Sequence, residues 1–344
     1  MYAHITFPEA IVVGLIQGVT ELFPVSSLGH NVLIPALIGG SWAQDLNVSA
    51  PESPYLAFIV GMHVATAIAM IIFFWRDWLR IIKGFFASIA HVIRPAPGTR
   101  RWEPQDTDQT MAWMIILATI PVGIAGLVLE HDFRVYFSKP ILTAVFLALN
   151  GVILLAGEQA RKRRIALDEQ QSAAGREAAD REMAAAARPG AGRHAAGQRA
   201  MKEQQASLAV QSDCRLTQVG WLSALGLGAS QIFALLPGIS RDGIVMVCGM
   251  FRGLSRQDAA RFSFLLSAPV ILAAGVLKIP DLTGPLGAGV RGQVLVGSIV
   301  SGVGAYLALR FLVRYYSDSA RTLTPFAIYC LAAGIGSAIY LTIR

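Results

Sequence analysis

The sequence predicts an all-α polytopic membrane protein with about six transmembrane helices and two re-entrant helical hairpins in inverted-topology repeats. Hydrophobic residues make up 54% of the 344 residues and charged residues only 15%, whereas soluble domains usually carry about a quarter charged residues. The apolar residues are concentrated in runs of about 20, the length that crosses a bilayer. Two further apolar stretches are interrupted by proline, which predicts broken helices.

Each long apolar run is predicted to form one transmembrane helix, because a backbone in lipid must satisfy its own polar groups. The predicted spans are 55–75, 111–130, 141–157, 262–277, 294–313 and 325–343.

The distribution of basic residues predicts the orientation. Lys and Arg crowd into segments 76–110 and 158–216, whereas residues 1–54 contain neither. The positive-inside rule places the two basic segments in the cytoplasm and the C-terminus on the outer side. The net charge of +7 therefore indicates orientation, and we expect no nucleic-acid partner. The three cysteines form no metal-binding or disulfide motif.

The chain divides into two membrane repeats around an insertion. Residues 1–157 are predicted to form the first repeat and residues 217–344 the second. The segment between them, 158–216, is rich in Ala, Arg, Glu and Gln and has too few large apolar residues to build a core. We therefore expect a flexible cytoplasmic insertion there.

The two predicted hairpins, at residues 10–38 and 219–250, resemble each other. Each is an apolar stretch with a central proline, Pro24 or Pro237, followed three residues later by a serine, Ser27 or Ser240. Inverted repeats of this kind bring their broken helices together near the membrane midplane. Chance similarity between two proline-kinked segments is the alternative.

The first hairpin carries groups suited to acid–base and nucleophilic chemistry. Gln17 and Glu21 lie four residues apart and therefore share a helix face, and Ser26, Ser27 and His30 follow closely. A carboxylate within an apolar arm is usually functional; the alternative is a Glu near the interface that reaches water.

The second hairpin carries groups suited to binding phosphate. The planar guanidinium of Arg241 matches a phosphate bidentately. Gly238 would let backbone amides approach an anion, and a helix that begins in this segment would direct its positive end at the break. The alternative is that Arg241 forms a structural ion pair with Asp242 or Glu21.

These motifs resemble those of the undecaprenyl-diphosphate phosphatase family, the bacitracin-resistance type of membrane phosphatase. The matching segments are Gln-xxx-Glu at 17–21, Pro-Val-Ser-Ser-Leu-Gly-His at 24–30 and Pro-Gly-Ile-Ser-Arg at 237–241. The likeness extends to 74–76, 262–266 and 324–329, and covers nearly the whole chain except 158–216. Two such motifs in the same order and separation are highly specific.

The sequence departs from the family pattern at several positions. Asp242 replaces a serine, Val245 replaces a threonine, and Gln17 stands where the family more often has Glu. We hypothesise that Asp242 restores the negative charge missing at Gln17; altered substrate choice or reduced activity is the alternative. His63, where some members carry Gln, would face the same cavity or serve as a core histidine.

The resemblance implies hydrolysis of undecaprenyl diphosphate to undecaprenyl phosphate and inorganic phosphate, which recycles the lipid carrier for cell-wall synthesis and gives bacitracin resistance. It implies a multi-pass protein of the inner membrane whose active site faces outward. The expected partners are a polyprenyl diphosphate lipid, the bilayer and a second copy of the chain. A lipid or anion transporter or flippase, a phosphatase of another prenyl diphosphate and an inactive relative are the alternatives.

The resemblance also assigns roles to the motif residues. The expected catalytic residues are Glu21, Ser27, His30 and Arg241. The expected substrate-binding residues are Gln17, Ser26, Gly238, Ser240 and Asp242. Ser27 is the first candidate nucleophile, with Ser240 or water as alternatives, and His30 or Glu21 would take its proton. A Mg²⁺ or Ca²⁺ ion on Glu21 is an open alternative to metal-free catalysis.

Overall fold

Helices account for the regular structure throughout the described part of the chain. The computed structural model describes residues 5–46, 54–94, 101, 103–184, 212–283, 289–318 and 320–343, and no β-strand occurs among them. The helices are, in chain order, α1 (Phe7–Thr20), α2 (Ser27–Ile38), α3 (Gly40–Asp45), α4 (Pro54–Phe73), α5 (Trp75–Ile93), α6 (Thr107–Asp132), α7 (Pro140–Ala184), α8 (212–218), α9 (Trp221–Ser230), α10 (Arg241–Phe251), α11 (Arg256–Thr283), α12 (Arg291–Ser317) and α13 (Thr324–Ile343).

The membrane spans agree with the sequence prediction. Five helical stretches are long and apolar enough to cross a bilayer, and the pair α4 and α5 adds a sixth if it is counted as one bent span. The five stretches are Thr107–Leu129, Pro140–Leu167, Arg256–Leu277, Arg291–Ser317 and Thr324–Ile343. The chain is therefore a multi-pass membrane protein, and the prediction of an all-α fold with about six spans is confirmed.

The segment after the first span differs from the expected loop. α4 ends at Phe73, and the chain turns by 85° into α5. α5 buries Ile81, Gly84 and Ser88, whereas Phe86 and Ile93 on its other face are exposed. An amphipathic helix of this kind suits the membrane interface, so residues 76–93 form an ordered helix within the predicted loop 76–110.

The boundary predicted for the insertion falls inside a helix. α7 continues from the membrane span past residue 158 to Ala184. Glu158 is buried, and its carboxylate accepts a hydrogen bond from the backbone N–H of Leu323. Asp213 and Arg215 in α8 pair with Arg261 and Asp258 of α11. Both flanks of the insertion are therefore packed on the membrane helices, and residues 185–211 lie outside the described residues.

Close packing between small residues holds the spans together. α1 packs on α12, and α7 packs on α13. A Cβ atom added at Gly14 would lie 2.6 Å from the carbonyl oxygen of Gly297, so these two helix backbones touch. Contacts of this type drive helix association in lipid, where the hydrophobic effect between helices is weak.

Two helix–break–helix units position the polar residues. In the first unit, residues 21–26 separate α1 from α2. In the second unit, a turn of 3₁₀ helix (Gln231–Leu235) and residues 236–240 separate α9 from α10. These units coincide with the hairpins expected at 10–38 and 219–250. Their re-entrant course through the bilayer, their inverted relation and the division into two repeats stay predictions.

Candidate active site

The two breaks lie against each other. The backbone N–H of Gly238 donates to Ser26 Oγ at 3.2 Å. A Cβ atom on Gly29 would lie 3.0 Å from the Cα of Gly238, and Gly238 itself has φ 111°. Only glycine readily adopts that conformation and permits this approach. The hairpin tips, predicted to meet, are therefore in direct contact.

Asn150 on α7 joins the two breaks. Its Nδ2 donates to the carbonyl oxygen of Pro24 at 2.9 Å, and its Oδ1 accepts from the backbone N–H of Ser240 at 3.0 Å. The Asn150 side chain is fully buried. A single amide therefore satisfies one backbone group from each break and holds the breaks at a defined separation.

The turn before α2 is strained and tightly held. Ser26 has φ 67°, the only positive value at a non-glycine position among the described residues. Such a conformation costs about 1–3 kcal/mol and persists only where its surroundings enforce it. Here Ser26 Oγ also accepts from the N–H of Gly29, and its carbonyl oxygen contacts the ring of His30. The turn places Ser27 at the first residue of α2.

Glu21 lies at the centre of the polar cluster. Its Oε2 accepts hydrogen bonds from Ser27 Oγ and from Gln17 Nε2, the latter at 2.8 Å. Its Oε1 accepts from Arg241 Nη2 at 2.7 Å, and His63 Nε2 lies 3.2 Å from Oε2. A carboxylate bonded to a serine hydroxyl in this way is arranged to receive its proton.

Arg241 reaches this carboxylate from the start of α10. Ser240 caps α10, since its Oγ accepts from the N–H of Gly243 at 3.1 Å. Arg241 is thus the first helical residue, where the helix favours anions. Its Nε has no hydrogen-bond partner within the described part of the protein. Arg241 also lines a cavity, and a guanidinium has further N–H donors that match phosphate oxygens.

His30 supports the turn and lies off the cavity. Its Nδ1 lies 2.7 Å from the carbonyl oxygen of Ser26, and its Nε2 lies 2.6 Å from the hydroxyl of Tyr329. The two rings are stacked with centroids 5.7 Å apart. Both ring nitrogens of His30 are therefore engaged, whereas the Ser27 hydroxyl donates to Glu21.

Asp242 is hydrogen-bonded to α11. It is buried, and its Oδ1 accepts hydrogen bonds from Ser263 and Ser267 of α11 at 2.6 and 2.7 Å. These bonds anchor the first turn of α10 on α11. The compensation hypothesis requires that the charge of Asp242 couples to Arg241 and Glu21, and it stays a prediction.

The cluster opens into a small cavity of about 160 Å³. Its polar lining consists of Glu21, Ser26, Ser27, His63, Gln231, Ser240 and Arg241. Its apolar lining includes Leu28 and Val270. Polar groups grouped on one part of an apolar wall suit a ligand with a charged head and a hydrocarbon tail. A separate apolar groove of about 470 Å³ runs between α4 and α12.

Most residues of this site could be predicted from the sequence, but Asn150, Tyr329 and Gln231, which lines the cavity, could not. Asn150 lies within the predicted span 141–157, where a lone amide among apolar residues is a signal of a buried polar contact. Tyr329 lies in segment 324–329, which was identified only by its resemblance to the phosphatase family. Gly238, expected to bind phosphate, uses its N–H for Ser26.

A metal-ion site finds little support in the donor set. Both Glu21 oxygens face positively charged or N–H and O–H donors. No group of three His, Cys, Asp or Glu side chains is placed to hold a metal among the residues that the structure describes. Since Mg²⁺ and Ca²⁺ need several oxygen ligands, these residues do not fit a resident cation.

Comparison of the chain with known proteins identifies a matching family and several similar proteins. The family model described as bacitracin resistance protein BacA matches residues 10–336. An undecaprenyl-diphosphatase of Mycolicibacterium paratuberculosis is 54% identical over 344 residues, covering all of both chains. One from Mycobacterium avium is equally similar over the same length. An undecaprenyl-diphosphatase 2 of Frankia alni is 49% identical over 343 residues and covers 96% of each chain.

Proposed function

The chain belongs to the bacitracin resistance protein BacA family, and we infer from its relatives and its site that it is an undecaprenyl-diphosphatase. It hydrolyses undecaprenyl diphosphate to undecaprenyl phosphate and inorganic phosphate, which returns the lipid carrier to cell-wall synthesis and gives resistance to bacitracin. The observation that carries this inference is the convergence of Ser27, Glu21 and Arg241 on one polar cavity in a membrane protein.

Ser27 is the nucleophile in this mechanism. Its hydroxyl already donates to Glu21, so the carboxylate accepts the proton as Oγ attacks the terminal phosphorus. General-base assistance of this kind is worth roughly 10²–10⁴-fold in rate. The Ser27–phosphorus bond forms, the bridging oxygen–phosphorus bond breaks, and the lipid monophosphate leaves. Water then hydrolyses the phosphoserine and Glu21 returns the proton.

Arg241 binds the phosphate and stabilises the charge that develops on it. The guanidinium lies at the positive end of α10 and holds Glu21 through only one of its nitrogens. A planar fork can keep that contact while its other N–H groups bind phosphate oxygens. Ser26 and Ser240 bind phosphate oxygens from the two breaks, and Gln17 holds Glu21 in place.

Two finer properties belong to the same proposal. The protein lies in the inner membrane with its cavity open to the outer face, as the positive-inside distribution of Lys and Arg supports. A cysteine placed at Leu28, which lines the cavity, in a chain lacking the three native cysteines tests this orientation. An impermeant thiol reagent added outside intact cells should label it; labelling only after lysis would contradict the orientation. The homodimer stays a prediction.

Release of inorganic phosphate by the purified protein in detergent tests the activity. The wild-type protein should release phosphate from undecaprenyl diphosphate, with farnesyl diphosphate as a short-chain comparison, and Ser27→Ala should not. A transporter or flippase would move the lipid across vesicles without covalent change. Lipid movement with no phosphate release would therefore contradict the proposal.

A further inference from the structure

His63 on α4 faces the same cavity from a third direction. Its side chain is one-quarter exposed, and its Nε2 lies 3.2 Å from Glu21 Oε2. Ser27 Oγ contacts that same oxygen. His63 and Ser27 therefore contact the same oxygen atom of Glu21. A phosphoryl group in contact with Ser27 has other oxygens close to His63.

The contacts of His63 indicate which of its ring nitrogens carry protons. Nδ1 lies 2.9 Å from the carbonyl oxygen of Ile59, and a carbonyl oxygen only accepts, so Nδ1 carries a proton. Nε2 faces a carboxylate that also accepts from Ser27, and a proton on Nε2 makes that contact favourable. We assign both protons to His63, which makes it an imidazolium paired with Glu21.

His30 provides the contrast within the same protein. Its Nδ1 likewise donates to a carbonyl oxygen, but its Nε2 faces the hydroxyl of Tyr329, which can donate to it. His30 is therefore satisfied as a neutral ring. Of the two histidines near the cluster, only His63 carries a transferable proton into the cavity.

No other group that lines the cavity, within the part of the chain that the structure describes, can take that role. Among the lining residues, the titratable side chains are Glu21, His63 and Arg241. Glu21 already serves Ser27, and an arginine stays protonated in proteins. Glu21 at the end of α1 and Arg241 at the start of α10 are also the charged groups that act on His63. Gln17 contributes only an amide.

We propose that His63 is a catalytic residue of the diphosphatase, acting as general acid in the first step and general base in the second. The proposal rests on the function inferred above. As Ser27 Oγ bonds to the terminal phosphorus, Glu21 takes the serine proton and His63 Nε2 gives its proton to the departing bridging oxygen.

The second step restores both groups. Water attacks the phosphoserine and gives one proton to the now neutral His63 Nε2. The Ser27–phosphorus bond breaks, and Glu21 returns its proton to Ser27 Oγ. One water is consumed, one phosphate is released, and Ser27, Glu21 and His63 end as they began. Each of the two steps thus has its own acid and base.

The variants His63→Gln and His63→Ala test the proposal on undecaprenyl diphosphate in detergent. Gln keeps a hydrogen-bond donor near Glu21 but cannot exchange a proton, so both variants should lose kcat by about a hundred-fold or more, with little change in KM. Added imidazole should restore part of the rate of His63→Ala alone. His91→Gln on α5 is the matched control and should turn over normally.

Several results would overturn the role of His63. One is a wild-type kcat in His63→Gln. Another is a loss in His63→Ala that Gln repairs and imidazole does not, because that pattern marks a hydrogen bond that only positions Glu21. Thermal unfolding of each variant checks folding. Wild-type turnover and its loss in Ser27→Ala, measured in the same assay, test the function itself separately.

Discussion

The two breaks have similar sequences but supply different chemistry. Ser26 caps α2 by accepting from Gly29, and Ser240 caps α10 by accepting from Gly243. The cap serine follows Pro24 by two residues and Pro237 by three. Alignment by the prolines pairs Ser27 with Ser240, whereas the helix caps pair Ser26 with Ser240.

The caps therefore make Ser27 and Arg241 equivalent, since each is the first residue of its helix. One break presents the proposed nucleophile at this position and the other presents a cation. Two similar helix starts therefore form two chemically different halves of the site, one with a serine hydroxyl and one with a guanidinium. Glu21 contacts both residues and links the halves.

The largest effect on kcat should come from substitution of Ser27, and it should distinguish Ser27 from the serines that cap the helices. Ser27→Ala removes the nucleophile and should lower kcat on the order of 10⁴-fold or more, since residues that act as one unit cost nearly the whole rate when removed. Ser240→Ala removes a helix cap worth about 1 kcal/mol of stability and one proposed phosphate contact, and it should retain far more activity than Ser27→Ala. Phosphate release by both variants measures the difference. Equal losses would return Ser240 as a candidate nucleophile.

The second-largest effect on kcat should come from substitution of Arg241. Arg241→Lys keeps the charge but loses the planar fork, and we expect a loss of about 10²–10³-fold in kcat, the usual effect of one lost donor to transition-state charge. Arg252→Lys at the far end of α10, where Arg252 contacts Ser223, is the control. Normal turnover in Arg241→Lys would show that Arg241 contributes only its positive charge.

The substitution Asn150→Ala tests whether catalysis requires the two halves of the site to be held at a fixed separation. Asn150→Ala leaves the N–H of Ser240 and the carbonyl oxygen of Pro24 without this partner. Each buried group left unpaired costs about 1–3 kcal/mol, so we expect a lower unfolding temperature and a lower kcat together. Cys330→Ala, which alters the neighbouring side chain, should change both far less. An Asn150→Ala protein with normal turnover would show that the breaks hold their separation without it.

A double-mutant cycle tests whether charge in one half compensates for charge in the other. Because Asp242 is bonded to Ser263 and Ser267, Asp242→Ser and Gln17→Glu should have independent effects on phosphate release. Independent sites add within about 0.3–0.5 kcal/mol. A larger coupling, with Gln17→Glu recovering what Asp242→Ser loses, would support the compensation hypothesis.

The smallest effect should come from the insertion. Replacing residues 185–211 with a short polar linker should leave specific activity nearly unchanged, because this stretch of the sequence has too few large apolar residues to build a core. Replacing all of 158–216 removes the buried Glu158 and the α8 ion pairs and should lower the yield of folded protein. Comparison of the two proteins by specific activity and thermal unfolding checks this, and equal behaviour would contradict the role of α8.

The spans and the positions of the two breaks could be predicted from the amino-acid sequence. Long apolar runs can satisfy their backbone in lipid only as helices, and Pro24 and Pro237 interrupt helices wherever they stand. Glu21, Ser27 and Arg241 were also evident, since polar groups at membrane depth are costly and usually functional. These signals are local, and each can be read from a short stretch of chain.

Tertiary structure alone decided how the polar groups pair. Asn150 lies 126 residues from Pro24 and 90 from Ser240, and Tyr329 lies 299 residues from His30, so no local pattern relates them. The partners of Asp242 and the assignment of the Ser27 proton to Glu21 likewise depend on which neighbour packs within hydrogen-bonding distance. A hydrogen bond is decided by a few tenths of an ångström and an angle, and only the packed helices define distances that finely.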